Sequence, residues 1–519
     1  MPSAGHRRRW VLVGSARTVL LCRSTILKSI QDLLSNLLTG KGVERALLLL
    51  VVGLCAVANL PWHLDNFDQA KQAYVSYEIA KGGSWWYQHT PQGGTATKPP
   101  LAGWSSLPLR WITGSWEVAW RLPSFLCALA ILLILAREAR RLLSDFGVLL
   151  VVCAFGLNLL TPRIATLVRT DMMLTLWITI CGWLIYKKID RGGPWTNAER
   201  WAFFFTMVAA LMTKGPILYA FILPGVAAFW YLGPKDGRAL IWSGWWTWLV
   251  PLALFATWVA IGCATNPEFY NDVIVREFMS RFDQSLKAHE RQQPIWFYFP
   301  HVIHKFAPWS LLAIALPIAS ANVRKKIISD PGTIWLACWA LGGLLCMTFV
   351  PSKRVDRIFP VIPPLCLLLV SMVSACQCGK RVRAWCGAAV IFSVVAVCGY
   401  FLTTIVIRYR NADDALARFG RKVQALAKQA GARSISMVEG RDEPMVLYCD
   451  AGSYILIKRA TREFKNGERD ALVLPERRIV DADGPLPPPV LDSGPISKNG
   501  ESRYLLFLRP GPISSQQAR

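Results

Sequence analysis

Charged residues, and acidic ones above all, are scarce in this chain. Only 18% of the 519 residues are charged, and 33 Asp and Glu stand against 58 Lys and Arg. Hydrophobic residues reach 53%, and 23 are Trp. A set of soluble domains would need more polar surface than this. The composition therefore predicts a protein whose main solvent is lipid.

The positive charge comes without any motif for nucleic-acid recognition. The formal net charge is +25 at pH 7. The Lys and Arg residues lie in short clusters between apolar runs, where the bias toward positive cytoplasmic loops places them in membrane proteins. We therefore predict contact with membrane lipids and no nucleic-acid partner.

Cysteine supplies neither a disulfide framework nor a zinc site. Most of the 14 Cys lie inside apolar runs, where they behave as small hydrophobic side chains. Cys376 and Cys378 form a C-x-C pair, but no second Cys or His cluster completes a site. We predict that no metal cofactor is required. A divalent cation bound in part by the external Asp65 and Asp68 stays an open alternative.

The first 44 residues are basic and contain an amphipathic pattern. Leu and Ile recur at helical spacing between Ile26 and Leu38, and Gly40 follows as a stop signal. This predicts that segment 1–44 carries a helix lying on the membrane surface.

The segment 45–406 contains repeated apolar runs, and roughly 20 apolar residues suffice to cross the hydrocarbon core. About eleven transmembrane helices are predicted. They are 45–62, 120–136, 146–162, 171–187, 200–213, 216–232, 239–262, 305–322, 332–350, 358–376 and 384–406. Every second connection carries a Lys and Arg cluster, which makes that side cytoplasmic. The segments 63–119 and 263–304 are then long external loops.

After residue 406 the pattern changes to that of a soluble unit. An amphipathic helix is predicted over 415–430. Turn residues then separate short apolar segments, which predict strands. These are 434–438, 445–449, 453–458, 471–475 and 504–509. We therefore predict that 407–519 is a small α/β domain, on the outer side if the number of spans is odd.

The external turns carry ionisable residues, and the positive charges among them oppose the topological bias. The ionisable residues are Arg163, Arg169, Asp171, Lys214, Lys353, Arg354, Asp356 and Arg357. Ionisable residues at the membrane that topology does not explain are functional candidates. Reaching toward lipid headgroups is the alternative for any one of them. Contact with headgroups explains less well why all these ionisable residues lie on one face of the membrane domain.

Several short motifs follow one another in an order that resembles a known family. They are Asp68, the K-P-P turn 98–100, R-T-D at 169–171, T-K-G-P at 213–216, S-K-R at 352–354, HERQQPIWFYFP at 289–300 and FPVIPP at 359–364. Together they resemble the GT-C membrane glycosyltransferases. The nearest resemblance is to glycosyltransferase family 39, with its protein O-mannosyltransferases and lipid A aminoarabinose transferases. It covers roughly residues 45–400 and implies a polytopic α-helical GT-C-like fold, here followed by the small extracytoplasmic α/β domain.

The resemblance implies transfer of a sugar from a polyprenyl-phosphate carrier to an envelope acceptor at the outer membrane face. Asp68 matches the family's catalytic aspartate, and a carboxylate suits a base that takes the proton of an acceptor hydroxyl. Cations must then stabilise the departing phosphate. The candidates are Lys98, Arg169, Lys214, Lys353 and Arg354. Candidates for acceptor contact or support are Asp65, Glu78, Asp171 and His289. A helix-capping role for Asp171, and solvated surface roles for Glu78 and His289, stay open.

By the same resemblance the protein would lie in the bacterial plasma (inner) membrane, with its active site and C-terminal domain on the periplasmic side. Undecaprenyl phosphate would be the carrier, and a lipid A-type glycolipid or a protein hydroxyl the acceptor. The family often has Asp-Glu where this chain has Asp68-Gln69. This departure leaves the acceptor class and any metal dependence open.

Two readings from other classes compete with an enzyme. A lipid or polysaccharide transporter predicts internal repeats and charges near the bilayer midplane. The sequence has no visible repeat, and its unexplained charges concentrate at one face. A membrane anchor for a C-terminal binding module would need far fewer than eleven spans.

Overall fold

A computed structural model describes residues 41–64, 68–281, 293–376, 379–440, 442–496 and 503–509. The amphipathic helix predicted within 1–44 lies outside the described residues. Among the described ones, apolar helices extend to residue 410, and a mixed sheet follows.

The first part of the chain is almost entirely helical. The α-helices are α1 (Lys41–Val57), α2 (Asp68–Ala80), α3 (Leu101–Thr113), α4 (Trp116–Gly156), α5 (Thr161–Ala165), α6 (Asp171–Arg191), α7 (Asn197–Lys214), α8 (Ile217–Leu232), α9 (Lys235–Arg238), α10 (Trp245–Thr265), α11 (Tyr298–Lys305), α12 (Trp309–Ala319), α13 (Ala321–Ser329), α14 (Pro331–Phe349), α15 (Ile362–Ala375) and α16 (Lys380–Arg410). Shorter 3₁₀ segments are Ala239–Ile241, Met279–Arg281, Ile295–Phe297 and Val355–Val361, and Tyr270–Phe278 is a π-helix.

The chain is a multi-pass membrane protein. Within the described ranges, six helical segments are long and apolar enough to cross a bilayer, or seven if the bent pair around Pro308 is one crossing. Helix α4 breaks at Leu143 and Ser144, where the backbone is not helical, so it contains two of the predicted spans. Every predicted span overlaps a helix, but α1 and α8 have only 17 and 16 residues. The count of eleven crossings therefore stays a prediction.

Two glycines allow α8 and α14 to pack in close contact. A Cβ atom on Gly225 would lie 2.8 Å from the Cα of Trp339, and one on Gly342 would lie 2.7 Å from the backbone nitrogen of Gly225. A larger residue at either position would push the helices apart. Helix α8 begins just after Lys214, and α14 ends just before the turn that carries Arg354. This contact therefore sets the distance between two groups of candidate residues.

The C-terminal residues form a five-stranded sheet with flanking helices. Its elements are α17 (Ala415–Gln429), β1 (Ile435–Val438), α18 (Met445–Tyr448), β2 (Tyr454–Ile455), α19 (Ile457–Asn466), β3 (Ala471–Pro475), β4 (Leu491–Asp492) and β5 (Tyr504–Leu508). The strand order is β2-β1-β3-β5-β4. Strand β1 runs parallel to β2 and β3, and β5 runs antiparallel to β3 and β4.

One predicted strand, 445–449, is wrong. Residues Met445–Tyr448 form α18, and all four side chains are buried. A short, fully apolar run lacks the periodicity that separates a buried helical turn from a buried strand. Pro444, in the right-handed helical conformation, precedes this turn. A proline at this position suits the start of a helix better than a central strand.

The C-terminal sheet unit packs directly on α2. Tyr74 and Tyr77 of α2 share one apolar cluster with Phe419 of α17 and Met445 of α18. The hydroxyl of Tyr77 donates to the Asp450 carboxylate at 2.6 Å and accepts from the Gly452 backbone N–H at 3.0 Å. These contacts hold α2, whose first residue is Asp68, against the C-terminal unit.

Candidate active site

Asp68 opens α2 and faces a pair of arginines from distant parts of the chain. Arg354 donates from Nη1 to Asp68 Oδ2 at 2.6 Å. Nη2 of Arg169 lies 3.5 Å from the same oxygen. The Asp68 side chain remains 42% exposed. The candidate base therefore stands at an open surface with two cations beside it.

Gln69 helps to hold the loop that presents Arg169. Its side-chain oxygen accepts the backbone N–H of Val168 at 3.1 Å, and its side chain is buried. From the other side, the Ser124 hydroxyl donates to the carbonyl of Leu167 at 2.9 Å. The residue that departs from the family's Asp-Glu pair thus anchors the backbone next to Arg169.

A second carboxylate contacts the same two arginines from behind. Arg169 donates from Nη1 to Asp356 Oδ2 at 2.7 Å. Nη2 of Arg354 lies 3.7 Å from that oxygen. Asp356 lies in the 3₁₀ segment Val355–Val361 and is buried. Two guanidinium groups are therefore held between one exposed and one buried carboxylate.

Asp171 and Lys214 form a separate, buried pair beside this cluster. Lys214 Nζ lies 2.5 Å from Asp171 Oδ1, and both side chains are at most 10% exposed. Asp171 is the first residue of α6, where a negative charge is also favoured by the helix dipole. Asp171 belongs to the first turn of the helix, and the N-cap position is held by Thr170.

Lys98 lies between α2 and α3 and is paired with a residue of the segment between α10 and α11. Its Nζ contacts Glu277 Oε1 in the π-helix Tyr270–Phe278, and the Thr97 hydroxyl lies 3.4 Å from Glu277 Oε2. Nearby, the Thr95 backbone N–H donates to the Asp272 carboxylate at 3.2 Å. The segment before α3 and the segment after α10 thus meet at the site.

A cavity of about 1070 Å³ joins these groups. Its charged lining residues are Lys71, Lys98, Arg169, Lys214, Arg276, Arg354 and Arg357, and Asp68, Asp171, Glu268, Asp272, Glu277, Asp356 and Glu443. Seven cations thus face seven carboxylates. Six of the cations form ion pairs with lining carboxylates. An anionic ligand must therefore compete with carboxylates for those cations.

The charges around Asp68 set its protonation state. Burial alone would raise the pKa of Asp68, but Arg354 and Arg169 outweigh it and hold the pKa below the ordinary value. In return, Asp68 raises the pKa of Arg354 although burial opposes this shift. Asp68 is therefore ionised at neutral pH, as a base must be.

Four of the predicted site residues lie away from this cluster or outside the described ranges. Lys353 is not part of the cavity lining, and burial lowers its pKa. Glu78 accepts hydrogen bonds from the backbone N–H and the ring Nδ1 of His89, both at 2.6 Å, and so braces the first loop. Asp65 and His289 lie outside the described residues. In the described part of the chain, no group of three His, Cys, Asp or Glu side chains could hold a metal ion.

Sequence reasoning missed residues that complete the cavity. The sequence marks Asp356 and Arg357 only as charges that topology does not explain, and it gives no reason to single out Glu277 or Glu443. Arg357 donates from Nη1 to the carbonyl and the hydroxyl of Ser352, which ties down the turn before Arg354. For Asp356 the available signal was an acid two residues after Arg354. Glu443 belongs to the C-terminal unit, so no signal local in sequence could have found it.

Known proteins resemble this chain in sequence over its membrane part. No protein-family model matches it. The undecaprenyl phosphate-α-4-amino-4-deoxy-L-arabinose arabinosyl transferase of Erwinia tasmaniensis is 27% identical over 349 residues, which are 64% of this chain and 60% of the relative. A protein with that name from Sodalis glossinidius is 26% identical over 343 residues, 64% of this chain and 59% of the relative. The chain thus spans about 60% of the length of these curated relatives.

A solved structure extends the likeness to nearly the whole chain. ArnT from Cupriavidus metallidurans, in crystals bound to undecaprenyl phosphate and in the apo state, superposes with a TM-score of 0.65. The match covers 90% of this chain and 98% of ArnT, at 16% sequence identity. At this identity the likeness establishes the fold. Sequence and fold together confirm the predicted resemblance of this chain to the GT-C membrane glycosyltransferases.

Proposed function

We propose that this chain is an integral membrane glycosyltransferase that moves a sugar from a polyprenyl-phosphate carrier to an envelope acceptor. The observation that carries the proposal is Asp68, an ionised carboxylate facing Arg169 and Arg354 at the edge of a large cavity. The names of the relatives support undecaprenyl phosphate as the carrier and 4-amino-4-deoxy-L-arabinose as the sugar.

The chemistry assigns complementary roles to the carboxylate and the cations. Asp68 takes the proton of the acceptor hydroxyl while the hydroxyl oxygen attacks the anomeric carbon of the donor sugar. The bond between that carbon and the phosphate oxygen breaks, and the electron pair leaves with the lipid phosphate. Arg169 and Arg354 donate hydrogen bonds to the charge that develops on the phosphate.

The remaining candidates support this centre at different distances. Lys98 and Lys214 line the cavity and contribute positive potential near the phosphate. Asp171 fixes Lys214. Lys353 lies next to Arg354 in sequence and keeps its proposed role in binding the donor phosphate, although it lies outside the cavity lining. Asp65 and His289 keep their proposed roles in acceptor contact or support, and Glu78 supports the loop that carries Lys98.

The acceptor would enter from the outer side, where the C-terminal unit contributes to the lining. Glu443 lines the cavity and lies 3.5 Å from Lys71 of α2. A lipid A-type glycolipid and a protein Ser or Thr each offer the hydroxyl that the reaction needs. Neither class requires a metal ion in the steps above.

The same proposal includes the topology. Eleven crossings of the bacterial inner membrane place the loops 63–119 and 263–304 and the C-terminal unit 407–519 on the periplasmic side, with the basic segment 1–44 on the cytoplasmic one. The alternation of basic connections supports this orientation. A direct contact between α2 and the C-terminal unit also requires both to lie on one side of the bilayer.

Transfer activity of the purified protein tests the proposal. The chain is mixed with radiolabelled undecaprenyl-phosphate sugars and with envelope glycolipid or protein acceptors, and Asp68→Asn is compared with the wild type. We expect transfer by the wild type and a loss of about 10²–10⁴-fold in kcat for Asp68→Asn. Asp145→Asn, which changes an exposed acid outside the cavity, is the matched control. No transfer from any donor, or full activity of Asp68→Asn, overturns the proposal.

A further inference from the structure

The two site arginines share two carboxylates that differ in their surroundings. Asp68 is 42% exposed, whereas the Asp356 side chain is 12% exposed. Arg169 lies 2.7 Å from Asp356 and 3.5 Å from Asp68. Arg354 lies 2.6 Å from Asp68 and 3.7 Å from Asp356. Each arginine thus has one near and one distant carboxylate, and the near contact of Arg169 is the more buried one.

The backbone around Asp356 is packed on both sides. Farther along the same 3₁₀ segment, Ile358 and Phe359 are fully buried. The Arg357 backbone N–H donates to the Arg354 carbonyl at 3.1 Å. Asp356 therefore cannot leave the arginines without a rearrangement of the core. Asp68, as the first residue of α2, meets them from the cavity side.

The charge balance at this point determines what an incoming phosphate replaces. Within this cluster of four side chains, two guanidinium groups face two carboxylates. The cluster itself therefore has no excess positive charge for a ligand. A phosphodiester donor carries one negative charge, as does one carboxylate. Exchange of one for the other keeps the balance, whereas addition of the phosphate to the intact cluster would bring a third negative charge into it.

We propose that Asp356 is the positioning residue that orients Arg169 and Arg354, and that the donor phosphate takes the place of Asp68 on Arg354. Asp68 is then released to act as the base. This inference rests on the proposed function, because it assumes that the arginines bind the donor phosphate. It makes donor binding a condition for activating the base: without donor, Arg354 holds the carboxylate.

The reaction balances under this arrangement. Donor binding breaks the Arg354–Asp68 contact and forms an Arg354–phosphate contact. The acceptor proton then moves to Asp68 while the acceptor oxygen forms the new glycosidic bond. The bond between the anomeric carbon and the phosphate oxygen breaks, and its electron pair gives the leaving phosphate a second negative charge. Asp356 stays bound to the arginines throughout and touches no reacting atom.

Opposite effects of two aspartate substitutions on ligand binding test the inference. The full-length protein is placed in lipid nanodiscs, and undecaprenyl phosphate is titrated against it. Asp68→Asn removes a competitor and is expected to bind several-fold tighter. Asp356→Ala removes the group that orients the arginines and is expected to bind about tenfold weaker. Asp145→Asn removes an exposed negative charge outside the cavity, and a change below about twofold is expected.

Two further measurements separate positioning from folding. Asp356→Asn keeps an oxygen that accepts from Arg169, so its affinity is expected between those of the wild type and Asp356→Ala. In turnover assays Asp356→Ala is expected to raise the donor KM more than it lowers kcat, whereas general unfolding would lower the active fraction and leave KM unchanged.

The outcomes also distinguish this inference from the proposed function. If the wild type binds no undecaprenyl phosphate, the proposed function fails. If the wild type binds it and both aspartate substitutions tighten binding, the two carboxylates are equivalent competitors and the inference is wrong. Weaker binding by Asp68→Asn would likewise overturn it, since Asp68 would then be part of the phosphate site.

Discussion

Two ion pairs in one cavity differ in burial. The Asp171–Lys214 pair is nearly closed off from solvent, at 10% and 8% exposure, whereas Asp68 and Arg354 are each 42% exposed. Charges inside a protein lose their hydration, so removal of one partner leaves the other charge buried without compensation. Exposed charges keep water as an alternative partner. The buried pair therefore serves as a fixed part of the scaffold, and the exposed pair can exchange partners with a ligand.

The two pairs also connect different parts of the chain. Lys214 ends α7 and Asp171 begins α6, so their contact joins two neighbouring helices of the membrane domain. Asp68 and Arg354 are 286 residues apart and join the start of α2 to the turn before α15. A site that binds and releases a charged lipid in each cycle needs both kinds of contact. The buried pair keeps the scaffold in place, and the exposed pair can be replaced by the ligand.

Breaking the buried pair is expected to have the largest effect on stability. Lys214→Ala leaves the Asp171 charge without its partner, which costs about 3–5 kcal/mol of the free energy of unfolding. Denaturation of the protein in nanodiscs measures this loss. The double substitution Asp171→Asn with Lys214→Met removes both charges and is expected to recover most of it. A loss below about 1 kcal/mol for Lys214→Ala would show that the two pairs do not differ.

Breaking the exposed pair is expected to affect ligand binding more than folding. Arg354→Ala leaves Asp68 in contact with water, so the free energy of unfolding changes by less than about 1 kcal/mol. Affinity for undecaprenyl phosphate is expected to fall about tenfold, since one charge-assisted contact to the phosphate is lost. Equal losses in stability and affinity would contradict the assignment of this pair as replaceable.

The pH dependence of turnover sharpens the contrast. In the free protein the pKa of Asp68 is below its ordinary value of about 4. Its attraction to Arg354 therefore stabilises the fold at pH values above about 4. This stabilisation is lost as the pH falls through the lowered pKa. The acidic limb of kcat/KM reports this state. The acidic limb of kcat reports the donor complex, where Arg354 has turned to the phosphate, and it is expected at higher pH. Arg354→Gln is expected to move the acidic limb of kcat/KM to higher pH as well. Coincident limbs in the wild type would argue against the release of Asp68.

The smallest expected effect concerns the fastening of α2 to the C-terminal unit. Tyr77→Phe removes the hydrogen bonds with Asp450 and Gly452 and leaves the ring in its apolar cluster. We expect a loss of about 0.5–1.5 kcal/mol in stability, with transfer activity reduced less than twofold. Thermal unfolding and turnover of the same preparation measure both. An activity loss of tenfold or more would give the C-terminal unit a direct part in placing Asp68.

Local patterns predicted the helices well and the small sheet less well. Long apolar runs such as 332–350 and 384–406 overlap α14 and α16, because hydrophobicity over 20 residues is a strong signal. The strand predicted at 445–449 is a helical turn, because four apolar residues carry no period. Strand β4 has two residues and was not predicted at all.

The candidate site was partly accessible from the sequence. Asp68, Lys98, Arg169, Lys214 and Arg354 all line one cavity, and the order of short motifs had singled them out. Lys353 is adjacent to Arg354 but does not line the cavity, because neighbouring residues in an extended turn face different ways. Glu443 was invisible, since only the docking of the C-terminal unit brings it to the cavity.

The sequence by itself determined that the chain enters a membrane, which connections are basic and which ionisable residues topology fails to explain. These properties depend on composition and on spacing along the chain. Only the tertiary structure decided which charges pair. Arg169 and Asp356 are 187 residues apart, and their contact exists because helix packing brings the two turns together. Burial, which separates the fixed pair from the replaceable one, depends on the surrounding helices and loops, and the spacing of residues along the chain does not record it.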